Sequence, residues 1–528
     1  MQNPVDTLVD TPKSDTLTPA DVIAADVKIP AAPDNVAPTL TLISRENWLE
    51  RTFNIKQHGS SVRIELLAGL TTFFASVFTV LAIPSMMAGG AAAAVGAAAP
   101  NPGIINAVYI AAVLSSILGC LLMAFLAKLP FVQAPGMGLG SYLAFTVMPA
   151  IALFAINSGQ ELTDVQVYQM SLALVFISGL LFVLMSATGL REAIINGIPR
   201  NIKVALGTGI GLFITLLGLR QAGITVPAGG TFVTLVNFAN IGHAEAALHN
   251  QAVGALISVI GFLVIAVLHA RKIKGAILIG IVGTTIAAHV FGVASMPAGG
   301  FTFNLGAQWA DFANYSLFTL DFGTFLGFGH IGNVLAVVIA MVLAHTLVNS
   351  LDSLGTIFGI ATAADMVDPA TGKVNGLEKG LLSDAIGTAG GALLGSSSTA
   401  TVVSSAAGIN EGGRTGLTAL TTGFMFVIAL LLAPFVPLIP VVATGPALIF
   451  IGALMIGRVR EVDFTDLTEG IPAFLAIAIM PLTFSIANGI AFALISYVVL
   501  KLATGRWREI SPVAAVIGAL FVLQFVIS

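Results

Sequence analysis

The stretch Gly395-Ser-Ser-Ser-Thr-Ala-Thr-Val-Val-Ser-Ser-Ala-Ala-Gly408 interrupts a series of long apolar segments. It is too rich in Gly, Ser and Thr to be a lipid-facing helix, because backbone groups that leave a helix find no water inside a bilayer. We therefore expect it to line a protected cavity. A second interruption, Gln133-Ala-Pro-Gly-Met-Gly-Leu-Gly-Ser-Tyr142, lies about half a chain earlier, and paired breaks in two halves of a chain are typical of a transporter's binding site.

The composition indicates a polytopic membrane protein. Of 528 residues, 56% are hydrophobic and 9% are charged, whereas soluble domains carry roughly 25% charged residues. The single cysteine, Cys120, excludes a disulfide framework and a Cys-based metal site. A net charge of -4 does not favour nucleic acid as a partner. The sequence also lacks phosphate-binding, metal-spacing and nucleophile-elbow motifs, so we predict no enzymatic activity, no cofactor and no metal.

Apolar runs long enough to cross a bilayer core of roughly 30 Å recur along the chain. One set precedes a long polar and aromatic connection around Trp309, and a second set follows it. The runs predicted to cross are 66–89, 104–127, 132–150, 169–188, 201–221, 251–269 and 274–292, then 333–360, 379–394, 396–410, 416–434, 442–457, 471–484 and 488–503. The last apolar stretch, 512–527, is short and begins with proline, so spanning the membrane and lying along the interface both stay open.

The positions of Lys and Arg test this count, because cytoplasmic loops hold an excess of both. They fall on every second connection, with Arg220 as the exception. The pattern predicts an even number of crossings in the inner (plasma) membrane, with both termini cytoplasmic. Seven crossings per half would insert the second half upside down relative to the first. Residues 1–47 are expected to form a disordered cytoplasmic tail, because they are rich in Ala, Pro, Asp and Thr.

Several short motifs resemble those of the AzgA-like purine permeases. These belong to the nucleobase-cation symporter superfamily, which includes uracil, xanthine and nucleobase-ascorbate transporters, and the resemblance runs from Leu66 to Ser528. The motifs are Gly69-Leu-Thr-Thr-Phe73, Gln133-Ala-Pro-Gly-Met-Gly-Leu139, Leu351-Asp-Ser-Leu-Gly-Thr356, Asp384-Ala-Ile-Gly-Thr388, Gly412-Gly-Arg-Thr-Gly-Leu-Thr418, Ile471-Pro-Ala-Phe474 and Met480-Pro-Leu-Thr-Phe-Ser-Ile486.

The resemblance implies an all-α polytopic membrane protein of about fourteen transmembrane segments. These would form two inverted repeats of seven, with short strands and half-helices in segments 3 and 10. In each repeat, four segments would belong to a core domain that carries the site and three to a gate domain, through which a homodimer is possible. The implied divisions are a tail at 1–47, core parts at 48–190 and 333–436, gate parts at 191–293 and 437–528, and an external connection at 294–332.

Asp352 matches the acidic residue of segment 8 in these permeases, which implies substrate binding and proton coupling. A carboxylate inside an apolar run costs about 2.5–3.5 kcal/mol on insertion scales, so we expect it to face the cavity; a structural brace is the alternative. His345 and Asn349 share its helix face. His345 could exchange protons near neutral pH, with packing as the alternative, and Thr356 could bond substrate or its own backbone.

The remaining site predictions come from the two interruptions and from aromatic residues. Amides and hydroxyls of the breaks are expected to shape the pocket, and ring faces suit a planar ligand, with packing as the alternative for the rings. The residues predicted to bind substrate in this way are Phe73, Gly138, Tyr142, Thr401, Ser404 and Ser405. Asp384 is interpreted as a helix cap, since a carboxylate complements a helix N-terminus. Glu411 is interpreted as solvated or paired with Arg414.

Four positions depart from the pattern of these permeases. Ser404 stands where segment 10 normally has Glu, Asn349 where a second acidic residue is common, and Gly140 and Ile83 each stand where Asn is usual. A Glu accepts hydrogen bonds from two adjacent N–H groups of a purine, whereas a Ser offers one short hydroxyl. The detailed binding pattern is therefore expected to differ.

The sequence allows three functional hypotheses. The leading hypothesis is a proton-coupled transporter that takes up a nucleobase, such as a purine or a similar planar heterocycle, by alternating access. The second is a carrier of a small anion or another solute on the same fold, because Ser404 removes a negative charge. The third is a permease-like receptor that binds without transport, supported only by the long N-terminal tail.

Overall fold

Apolar helices dominate the structure of this protein. The structure is a computed structural model, and it describes residues 48–188, 197–228, 232–273, 275–294, 304–327, 331–363, 366, 376–483 and 485–527. The predicted tail at 1–47 lies outside the described residues. Within them, eight helical stretches are long and apolar enough to cross a membrane: Val62–Ala94, Pro102–Ala127, Met137–Asn157, Asp164–Ala187, Arg200–Gln221, Ala246–Ala270, Gly416–Val436 and Val441–Glu461. The chain is therefore a mostly helical, multi-pass membrane protein, as predicted.

Several of these stretches change geometry along their length. The first contains two helices, Val62–Ser76 and Phe78–Ala94. A π-helical turn at Met123–Ala127 ends the second stretch, and another at Leu143–Val147 interrupts the third. The further helices are Trp48–Phe53, Ala276–Val290, Leu305–Tyr315, Gly323–Leu326, Ile331–Ala363, Leu377–Leu394, Ser405–Asn410, Leu467–Leu482, Ile486–Ala503 and Pro512–Ile527. Pro512–Ile527 packs against Ile486–Ala503.

Side-chain caps fix where several helices begin. Thr163 and Gln166 form a reciprocal capping box at the start of Asp164–Ala187, and the Asn101 side chain accepts a hydrogen bond from the Gly103 amide, with Pro102 in the first turn. Each cap satisfies amides that the helix itself leaves without a partner. The boundaries of these helices are therefore local properties of the sequence.

Four short strands complete the described part of the fold. β1, Gln133–Pro135, pairs antiparallel with β4, Thr399–Thr401. β2, Thr225–Ala228, pairs antiparallel with β3, Phe232–Leu235. The run 396–410, predicted as one crossing, is thus β4 followed by the six-residue helix Ser405–Asn410. Gly395 begins this change of direction at φ +96°, a conformation that favours glycine.

The longer helices pack in two groups. In the first group, Val62–Ser76 contacts Gly416–Ala429, Pro102–Leu122 contacts Phe78–Ala94, and Leu377–Leu394 contacts Asp164–Ala187. In the second group, Arg200–Gln221 packs against Val441–Ile456 and Leu467–Leu482, and Ala246–Ala270 packs against Ala276–Val290. We call these the first and second helix groups; β1 and β4 lie with the first.

Candidate functional site

The two interruptions of the sequence meet in one antiparallel ladder. Gln133 lies opposite Thr401, and Pro135 lies opposite Thr399. All six residues of β1 and β4 are buried. Backbone groups at such a depth must find partners inside the protein, and the ladder supplies them.

Flanking groups extend the ladder at both ends. The Gly136 amide donates to the Ser398 carbonyl at 3.1 Å, and the Val402 amide donates to the Val132 carbonyl at 3.2 Å. The Ser405 hydroxyl accepts from the Val132 amide at 3.0 Å and donates to the Val402 carbonyl at 2.7 Å. Ser405, predicted to bind substrate, thus joins the two interruptions in this structure.

Asp384 lies beside the ladder, and its interpretation as a helix cap is wrong. The helix that contains it begins at Leu377, so Asp384 is in the helix interior, where its side chain is fully buried. Its Oδ1 accepts a hydrogen bond from Gln133 Nε2 and a second from Thr401 Oγ1 at 2.9 Å. Because Gln133 and Thr401 face each other across the ladder, one carboxylate oxygen holds both strands.

A second polar chain connects the long helix Ile331–Ala363 to β4. Asn349 Nδ2 donates to Thr388 Oγ1 at 3.0 Å, and Thr388 Oγ1 donates to the Thr399 carbonyl at 3.0 Å. Ser353 Oγ donates to Asn349 Oδ1 at 3.4 Å. Asn349 therefore positions β4 through a neutral hydrogen bond.

His345 lies against β4 on the same long helix. Its Nε2 is 2.5 Å from Ser398 Oγ, and the Tyr142 ring stacks on the imidazole with centroids 5.7 Å apart and planes at 28°. Both side chains are buried. Nδ1 of His345 has no hydrogen-bond partner among the residues that the structure describes. The imidazole thus retains one edge for a further polar contact.

The other predicted residues lie in different surroundings. Asp352 is on the helix Ile331–Ala363 with a partly buried side chain, and Thr356, one turn further, is buried. Ser404 immediately precedes the helix Ser405–Asn410; its hydroxyl oxygen is buried and has no hydrogen-bond partner within the described chain. A Cβ on Gly138 would be 3.1 Å from Ile210, so Gly138 lies close to the second helix group.

Phe73 lies in the apolar cluster that contains Ala134 of β1. Its ring packs edge-on against Phe426 at 5.3 Å, in an apolar cluster different from the one that contains Tyr142. The structure therefore brings Tyr142, His345, Thr401 and Ser405 to the ladder and gives Phe73 a packing contact. Glu411 is exposed.

Sequence reasoning missed Glu65, which is fully buried near the start of the first span. Its carboxylate accepts hydrogen bonds from the Arg414 amide at 2.9 Å, the Thr415 amide at 3.3 Å and Thr418 Oγ1 at 2.6 Å. It therefore lies at the N-terminus of the helix Gly416–Ala429, whose N-cap is Thr415, and a negative charge is favourable there. The signal available in the sequence was a carboxylate at the head of an apolar run.

Sequence comparisons find similar proteins over most of the chain. A model of the Permease family matches residues 63–492. The guanine/hypoxanthine permease PbuO of Bacillus subtilis (strain 168) is 36% identical over 488 residues, 90% of this chain and 100% of that protein. The adenine permease AdeQ of Escherichia coli (strain K12) is 32% identical over 486 residues, 91% of this chain and 96% of that protein.

Two solved structures share the fold at low sequence identity. The transmembrane domain of the cyanobacterium bicarbonate transporter BicA has a TM-score of 0.54 at 16% identity, covering 80% of this chain and 96% of that chain. SLC26A9 has a TM-score of 0.54 at 13% identity, covering 90% of this chain and 72% of that chain. Both are similar in fold alone.

Proposed function

The chain belongs to the permease family matched above, and from that premise we propose that it takes up a nucleobase together with protons. The substrate would be a purine or a similar planar heterocycle, carried across the inner (plasma) membrane. The buried pairing of β1 with β4, next to the stacked Tyr142 and His345, is the observation that carries this proposal. The guanine/hypoxanthine and adenine permeases among its relatives support the substrate class.

In this proposal, polar groups around the ladder bind the base and Asp352 couples it to protons. Asp352 lies on the same helix as His345 and Thr356, two turns from the imidazole. A carboxylate within an apolar helix is a functional candidate because placing a charged group inside the membrane is costly in free energy. Ser404 and Thr356 would supply hydroxyls to the substrate, and His345 would be the second proton-exchanging group.

Alternating access would move the first helix group, as the core domain, against the second, as the gate domain. In this proposal the chain has about fourteen segments in two inverted repeats, divided into core and gate parts at the residues given in the sequence analysis. Both termini are cytoplasmic, and a homodimer through the gate domains is possible. The separate packing of the two helix groups supports this division. A ladder joining two interruptions is the arrangement expected of inverted repeats that meet at a central site.

The test is uptake by proteoliposomes supplied with labelled adenine, guanine, hypoxanthine or uracil under an imposed pH gradient. We expect accumulation of at least one base, and loss of gradient-driven accumulation in Asp352→Asn. Base exchange without a gradient separates coupling from binding, because a variant that has lost only coupling still exchanges. Asp164→Asn, a carboxylate in a predicted external connection, is the matched control. Accumulation of no base would reject the substrate class, and full accumulation by Asp352→Asn would reject the coupling role.

A small anion is the second candidate substrate, because Ser404 places a hydroxyl where related permeases have a carboxylate. Its buried oxygen has no hydrogen-bond partner within the described chain. Bicarbonate-dependent currents in the same vesicles, with no base accumulation, would favour this candidate. Base accumulation without such currents would exclude it.

A further inference from the structure

A groove of about 330 Å³ lies between the first span and the helix Ala276–Val290. This volume falls within the range of ligand pockets, roughly 300–1,000 Å³. The groove is lined by Leu67, Leu70, Thr71 and Phe74 on one wall and by Gly275, Leu278 and Ile279 on the other. Apart from Thr71 the lining is apolar, which suits a hydrocarbon chain better than a polar solute.

The groove joins the two helix groups. Val62–Ser76 packs with Gly416–Ala429 of the first group, whereas Ala276–Val290 packs with Ala246–Ala270 and Val441–Ile456 of the second. A Cβ on Gly275 would be 3.6 Å from Phe74 Cβ, so the two walls approach each other closely at this point. Any molecule held in the groove therefore contacts both groups.

On each wall, positive charges precede the groove residues at the end where the helix begins. Arg63 is one turn before Leu67 on the same helix face, and Arg271 and Lys272 form the turn just before Gly275. All three are exposed. Within the described part of the chain, none of them forms an ion pair. The alternation of Lys and Arg places this end on the predicted cytoplasmic side, where the leaflet is anionic.

We propose that this groove binds one anionic phospholipid. An acyl chain occupies the apolar groove, and the phosphate of the headgroup lies between Arg63 and the Arg271–Lys272 turn. Basic sites between transmembrane helices on the cytoplasmic side are suited to such headgroups. If the proposed alternating access holds, the lipid stabilises the arrangement of the two helix groups seen here, because its binding surface is split between them.

The test measures lipid binding by the purified full-length protein in detergent. Phosphatidylglycerol and phosphatidylcholine with the same acyl chains are titrated, and the thermal midpoint is followed, since a ligand of the folded state raises it. We expect a larger rise with phosphatidylglycerol. In Arg63→Gln/Lys272→Gln the apparent affinity for phosphatidylglycerol should fall about 25-fold, at about 5-fold for each cation removed. Leu278→Trp, which fills the groove, should weaken binding of both lipids.

Arg508→Gln is the matched control, because Arg508 is an exposed cation that contacts the Trp507 ring and lies on neither wall. It should bind phosphatidylglycerol as the wild type does. Should Leu278→Trp fail to fold without lipid, Leu67→Trp tests the groove from the other wall. Equal responses to the two lipids, or wild-type affinity in the double variant, would overturn the proposal. The binding measurement needs no transported solute, so a failure of the lipid proposal can be distinguished from a failure of the proposed uptake.

Discussion

At the scale of single residues, Asp384 is the group on which the ladder most depends. One carboxylate oxygen accepts hydrogen bonds from Gln133 and Thr401, which lie on opposite strands. Asp384→Ala removes that acceptor from two buried donors, and a buried polar group without a partner costs about 1–3 kcal/mol. We expect a lower thermal midpoint and loss of uptake, both measured on purified and reconstituted protein. Asp384→Asn keeps an acceptor oxygen and should fall between this variant and the wild type.

Thr401→Val provides the control for that prediction. If Thr401 acts through Asp384, the double variant Asp384→Ala/Thr401→Val loses less stability than the sum of the single variants, because the single changes share one interaction. Strict additivity would show that the two side chains stabilise the protein independently.

The sequence predicts the site only where its signals are local. The two interruptions are visible because Gly, Ser and Thr are unusual within apolar runs. Gln133 and Asp384, which are in contact, lie 251 residues apart in the sequence. No local sequence feature around either residue specifies this contact. The interpretation of Asp384 as a cap therefore rests only on the general preference of carboxylates for helix starts, whereas the helix begins earlier, at Leu377.

At the scale of elements, the six-residue helix after β4 is held against the first span by close packing. A Cβ on Gly408 would be 2.6 Å from the Ala68 carbonyl oxygen and 2.0 Å from Thr72 Oγ1. Gly408→Ala should therefore push this helix away, at a cost of about 1–3 kcal/mol, and lower both thermal midpoint and uptake. Gly207→Ala is the control, since a Cβ there meets nothing within 4 Å. Equal effects of the two substitutions would contradict the packing argument.

The same element shows what hydropathy does not resolve within a predicted crossing. Residues 396–410 are predicted as one crossing, and in the structure they contain a three-residue strand and a six-residue helix, of the kind that the resemblance implies for segment 10. A strand this short has no readable periodicity. Its partner strand is in the other half of the chain, so only the folded protein reveals the pairing.

A polar cluster fixes the C-terminal turn to the second helix group. Lys501 Nζ is 2.7 Å from Glu509 and 3.3 Å from Glu469, and Arg506 bonds Glu509 and Asp466. Hydrogen bonds from Arg506 and then Lys501 lower the pKa of Glu509 from 4.5 to about 2. Because the folded pKa is the lower one, this carboxylate stabilises the fold above pH 4.5 and loses its effect as the pH falls toward about 2.

The pH dependence of this cluster is therefore testable. We expect the difference in thermal midpoint between the wild type and Glu509→Gln to stay constant from about pH 5 to pH 8 and to shrink below about pH 4. A difference that changes between pH 5 and 8 would contradict the assignment. If it is constant, any pH dependence of uptake in that range originates elsewhere.

At the scale of the whole molecule, the membrane topology can be measured with single cysteines. Cys120 is buried, so the wild type should give no labelling background. Cysteines at the exposed positions Glu161 and Glu245 should react with a membrane-impermeant maleimide on intact cells, because these positions fall on predicted external connections. Cysteines at Lys272 and Arg508 should react only after permeabilisation. Labelling of the second pair on intact cells would reverse the orientation.

Relative motion of the two helix groups can be tested with one disulfide. Phe74 Cβ and a Cβ on Gly275 would be 3.6 Å apart, within the roughly 3.5–4.5 Å found in disulfides. In Phe74→Cys/Gly275→Cys, oxidation should therefore join the groups and stop uptake, and a reductant should restore it. Gly275 has φ +74°, where a side chain costs about 1–2 kcal/mol, so Gly275→Cys alone must retain uptake. Full uptake by protein shown by mass spectrometry to be cross-linked would mean that transport does not require these groups to move apart.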